Sequence, residues 1–127
     1  MKRRQRSRGL AIVTFSMVAA VAVPFLGLAM DGAMLCVVKE RLTTAVDSAA
    51  NAASHYPEKG PRMESAVRRF LDANFPEGHM GTGTRAVVVE GGRIEVRVDA
   101  PTYFLRLIHV RNVEVVAARS IDPVALR

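Results

Sequence analysis

The sequence predicts an α+β protein: a long N-terminal helix with a membrane-spanning half and an amphipathic outer half, a short second helix, and a small three-stranded antiparallel sheet. Three observations carry that expectation. Residues 10–30 hold no formal charge and are almost wholly apolar. Beyond them, Leu35, Val38, Leu42, Ala45, Ala49 and Ala52 recur at steps of three and four, the spacing of one helix face. In the last third, apolar and charged residues alternate on one side of a Gly91-Gly92 pair, the pattern of a half-buried hairpin. With 127 residues the chain has room for one small domain.

Residues 1–9 form a basic leader in which Lys2, Arg3, Arg4, Arg6 and Arg8 supply five positive charges. The apolar run opens on Leu10 and closes on Met30, 21 residues that reach about 31 Å as a helix, the thickness of a bilayer core. Positive charge before it and Asp31 after it place the N-terminus in the cytoplasm and the rest of the chain across the membrane. Two processing routes compete with a retained leader. A cut between Gly9 and Leu10 follows the outline of a prepilin signal and keeps the helix, although Thr14 stands where prepilins generally carry Glu. A cut after Ala29 would free a soluble product, but the apolar run exceeds the 7–15 residues usual in a secretory signal. Pro24 removes one backbone donor within the span and predicts a local kink. Thr14 and Ser16 are expected to bond back to the preceding turn.

Residues 31–56 continue the helix as an amphipathic rod that ends near His55, before the Pro57 to Pro61 stretch. Its stripe passes from Leu and Val near the membrane to Ala further out, and small residues admit a closely packed partner. The chain's own sheet is the expected partner, with intermolecular helix packing as the alternative. Residues 57–127 make the outer α+β domain. A helix over 62–74 is expected from Met63, Val67, Phe70, Leu71 and Asn74 at helical steps, with Pro76 ending it. Residues 77–84 form a Gly-rich loop without a phosphate-binding arrangement. Strands follow over 86–90, 93–99 and 112–118; between the last two, residues 102–109 are expected to form a helical turn plugging one end of the core. The end of the chain, from Asp122, reads as an exposed tail. Three strands cannot stand alone, so the Ala-rich half of the long helix must cover them.

The formal charge of +6 argues against nucleic-acid binding once it is located, because residues 10–127 carry 13 basic and 12 acidic side chains. His55, His79 and His109 fall in separate elements without ligand-spaced partners, and neither a nucleophile motif nor a supported acid pair occurs. A non-enzyme without cofactor, metal or small-molecule substrate is expected. Cys36, the only cysteine, allows intermolecular pairing, though packing at the bilayer edge is the favoured reading. Asp31 has two readings as well: it pairs with a basic group of a neighbouring subunit, or it marks the end of the span in the headgroup layer.

Several segments together resemble the N-terminal part of TadG-like proteins (TadE/TadG) of the Tad, or Flp pilus, assembly system. They are Arg8-Gly9 before the span, Pro24 within it, Gly27-Leu28-Ala29-Met30-Asp31-Gly32 at its exit, and the stretch from Arg41 to Ala50 with Asp47, Ala49 and Ala50. Phe70-Leu71-Asp72-Ala73-Asn74-Phe75-Pro76 and Thr102-Tyr103-Phe104-Leu105 followed by Val113 and Val115 are similar to such proteins too. The large additional domain of many TadG-like proteins has no counterpart here. The resemblance implies a bacterial envelope protein of the inner membrane, similar to a minor pilin or pseudopilin, whose partners are other pilus or secretion subunits. A single-pass adaptor or regulator of an unrelated membrane complex is the alternative.

Overall fold

The computed structural model describes residues 2–122, with side chains from Arg8 onward; the side chains of Lys2, Arg3, Arg4 and Arg6 and the tail residues 123–127 lie outside the described part. Helix α1 (Lys2–Ser54) runs through Pro24 without interruption, and α2 (Pro61–Asn74) follows after a short turn. Strands β1 (Arg85–Glu90), β2 (Arg93–Pro101) and β3 (Asn112–Ser120) form one antiparallel sheet with β2 in the centre. The α+β class is therefore that predicted, and all three strands extend beyond the expected limits.

At 53 residues, α1 measures about 80 Å. Large apolar side chains of its first half, from Leu10 and Phe15 to Phe25 and Leu26, are mostly exposed. This is one helix segment long and apolar enough to cross a membrane. Thr14 donates to the Leu10 carbonyl at 2.9 Å, closing its hydroxyl onto the preceding turn as expected.

Beyond the apolar segment, α1 becomes the spine of the domain. Val38, Leu42, Ala45, Val46, Ala49, Ala50 and Ala53 are buried. Leu35 and Ala52, at either end of the expected stripe, are only half-buried. The buried face is wider than that stripe because α1 packs against α2 as well as β2 and β3. On α2, Met63, Val67 and Leu71 are buried as predicted, joined by Ala66, whereas Phe70 and Asn74 turn outward; Phe75, just past the helix, fills the core instead. The sheet contributes Ile94, Val96, Val98 and Ala100 from β2 and Val115 and Ala117 from β3. A third of the core positions are alanine, so helix and sheet come close together where larger side chains would hold them apart.

The sheet lies lengthwise along α1. Lys39 of α1 donates to the Val116 carbonyl, and further out Arg119 pairs with Asp47 at 3.4 Å. At the far end, Gly91 and Gly92 make the hairpin turn with φ of 59° and 80°, the left-handed pair that glycine accommodates. There Gly92 accepts a backbone bond from Ile121 at 2.6 Å. The opposite end, where β2 leaves and β3 returns, faces the apolar half of α1.

Candidate functional site

Where α1 emerges from its apolar half, Asp31 is 2 % exposed, the one carboxylate among the buried described residues. Its partners are three consecutive amides. The N–H of Tyr103 donates to Oδ1 at 2.9 Å, and those of Phe104 and Leu105 donate to Oδ2 at 2.8 and 2.7 Å. These residues open a short 3-10 turn, Leu105–Ile108, so Asp31 supplies from another helix the acceptors that the turn's first amides lack. Burial pushes the carboxyl up, but the N–H groups of Leu105, Tyr103 and Phe104 outweigh it, and the net displacement is downward from the ordinary 3.8. The charged form is the one the site is built to hold.

A second contact lies one turn down the helix. Gly27 is buried beneath the Phe104 ring: a Cβ added there would stand 2.8 Å from Cε1 and nearer still to Cγ and Cδ1. Only a residue without a side chain lets the ring rest on the helix. Gly27 and Asp31 are four residues apart and thus share a face, and the connector clasps that face with an aromatic ring and a row of amides. Within the connector, the Thr102 amide and hydroxyl both donate to the Arg111 carbonyl at 3.1 Å, and Val110 donates to Leu105 at 3.1 Å. His109 takes φ of 69° to end the turn. The loop is thereby a rigid clasp.

This geometry corrects two expectations. The connector does not plug the core, since Leu107 and Ile108 project outward; it docks on α1 through Phe104 and its backbone. The inter-subunit pairing considered for Asp31 gives way to bonds within the chain, because its carboxylate is occupied by three amides of its own connector. Cys36 is an exposed free thiol on α1, at the margin of the groove that Leu35 and Lys39 form with Val115 and Val116 of β3. The expected stripe and Asp31 come together along one side of the helix; Pro24, two turns before Asp31, falls on that side but is exposed, and Cys36 lies off it.

No group of three or more His, Cys, Asp or Glu suited to a metal occurs among the described residues. His79 meets the Phe75 ring edge-on at 5.1 Å, while His55 and His109 lie exposed in other elements. A surface cavity of about 610 Å³, lined by Tyr56, Pro57, Glu58, Gly60, Pro61 and Arg62, sits at the far turn without a convergent set of reactive groups.

The structure thus defines a class: a small α+β domain clasped to the helix that carries it, at the point where that helix ceases to be apolar. No family model, curated protein or solved structure matches the chain.

Proposed function

We propose that this chain is a non-catalytic structural component of a bacterial Tad/Flp-type pilus assembly apparatus, similar to a minor pilin or pseudopilin. It is rooted in the cytoplasmic membrane with its domain on the outer side. The observation that carries this reading is the continuity of α1, whose apolar half passes without interruption into the spine of a small sheet domain. Such an element presents a membrane anchor and a packing body as one piece, which is what a subunit held in a bilayer before or during assembly requires. The resemblance around residues 24–32 and 41–50 supports the same system. The basic leader supports the orientation, because each Lys or Arg beside anionic headgroups contributes about 1 kcal/mol of attraction.

Two measurements test it. The tagged full chain, solubilised from its native cells in mild detergent, is expected to bring down pilus or secretion subunits; repeated recovery without them refutes the reading. In mass spectrometry of the membrane-extracted protein, Leu10 as the first residue would favour the pilin-like route over an unrelated adaptor, whereas an intact Met1 is compatible with both. A soluble product starting at Met30 would instead make the chain a secreted module and overturn the anchoring role.

A further inference from the structure

We infer that the connector between β2 and β3 is a second membrane anchor, one that lies in the outer leaflet beside α1 and takes lipid as its ligand. The inference rests on the membrane reading of α1 proposed above. Among the described residues beyond Met30, three large apolar side chains are more than 60 % exposed: Tyr103, Leu107 and Ile108, at 64 %, 80 % and 65 %. All three lie on this one segment. Elsewhere in the outer domain the exposed large apolar residues, such as Val37, Tyr56, Phe70 and Val88, are scattered and each less than half uncovered, as is ordinary for a soluble surface.

The clasp fixes the level of these side chains. Phe104 rests on Gly27, three residues inside the Met30 limit of the apolar run, or about 4.5 Å below its end along the helix. Leu105–Ile108 continue from that ring at the same end of the domain. A bilayer that covers α1 to Met30 therefore meets the connector, and no described residue covers Leu107 and Ile108 enough to keep them from it. The adjoining charges match. Residues 100–113 contain Arg106, His109 and Arg111 and no acidic residue, although the chain beyond the leader is nearly neutral. Arg106 and Arg111 are exposed, so their stems can follow the apolar surface while the guanidinium groups bond lipid phosphate. A Tyr at the edge of this patch fits the headgroup level. An interfacial anchor needs these parts in this order: apolar side chains inward, cations at phosphate depth, an aromatic between.

The test uses the full chain in nanodiscs of phosphatidylcholine and phosphatidylglycerol, with and without a lipid bearing a doxyl quencher near the top of its acyl chain or, separately, near the end of it. Single bimane labels are placed at Leu107→Cys, at Val18→Cys within the span, and at Glu58→Cys on the far turn, each in a Cys36→Ser background. The Leu107 label is expected to lose about half or more of its emission to the shallow quencher, as side chains inserted 5–10 Å below the headgroup boundary do, the Val18 label to lose as much to the deep one, and the Glu58 label to lose none to either. Quenching at Val18 without quenching at Leu107 overturns the inference and leaves the membrane span standing; the connector would then face water or another protein. Absence of quenching at Val18 removes the span itself, and the inference falls with it. The labelled positions are exposed in the fold, so the substitutions leave its packing in place.

Discussion

Gly27→Ala is the sharpest probe of the clasp, because a single methyl group would occupy the space of the Phe104 ring. The added Cβ stands 2.8 Å from Cε1 and closer to Cγ and Cδ1, against an ordinary carbon separation of about 3.5–4.0 Å. The ring must therefore retreat by about 1 Å or swing aside, and Phe104 is only half-buried, so it has room to swing. Overpacking usually costs about 1–3 kcal/mol, and that freedom places this case in the lower part of the range. Retreat of the ring draws the Phe104 and Leu105 amides from Asp31, to which they donate at 2.8 and 2.7 Å. Hydrogen exchange of the full chain in nanodiscs should show those two amides opening about 5–30-fold more often, the equivalent of 1–2 kcal/mol. Amides of β2 such as Val96 should be unchanged. In a Phe104→Ala background the same Gly27→Ala change should have almost no effect, since the ring it displaces is gone. Equal acceleration in both backgrounds, or none in either, would refute the packing described.

Four further outcomes can be measured. Asp31→Asn retains one acceptor oxygen but turns an NH2 toward amides that need a second, so trypsin should cut after Arg106 sooner than in the parent chain. Because the Asp31 carboxyl is displaced downward from 3.8, its contribution is fully present above that pH and is lost as pH falls through the lower folded value. Urea midpoints of the parent should show this acid limb below about pH 4, and those of Asp31→Asn should lack it. Leu42→Ala, at a position with no exposure, should destabilise the outer domain by about 2–5 kcal/mol in thermal melts, whereas Leu107→Ala in detergent should shift stability by no more than about 0.5 kcal/mol. At the hairpin, Gly91 has φ of 59° and open space around it; Asn there should be tolerated, while Val should cost about 1–2 kcal/mol, read from the same melts.

Most of the fold was legible in the sequence because its signals are periodic. The apolar run, the three-four stripe and the Gly91-Gly92 alternation each report a local geometry that burial then rewards. What escaped them depends on contacts distant in the chain. Val46, Ala50 and Ala53 were missed because a single stripe presumes one partner, and α1 has α2 and the sheet around it. The spacing places Phe70 inward, yet Phe75 fills the core from beyond the helix end. The clasp was harder to find, since its acceptor lies 72 to 74 residues from its donors. A trace was nevertheless present. The stripe that begins at Leu35 extends back through Asp31 to Gly27 at the same helical steps, so a carboxylate and a glycine occupy the packed face just where an apolar residue would be expected. An acid in a core stripe is costly unless amides meet it, and that cost was the available clue.

On the membrane reading proposed above, the position of the clasp limits how far the domain can work from the bilayer. From Asp31 to Ser54 the helix rises about 36 Å, and the sheet lies alongside that length, so the domain stands on the bilayer with no stalk below it. Greater height comes only by drawing α1 outward. Each turn withdrawn brings side chains such as Leu28, Leu26 and Phe25 out of lipid, at about 0.8 kcal/mol for every CH2 exposed to water. On the proposed reading as an assembly subunit, an apparatus that lifts the protein would have to cover the emerging turns as it pulls, and the apolar half of α1 would be the surface by which the lifted chain is received.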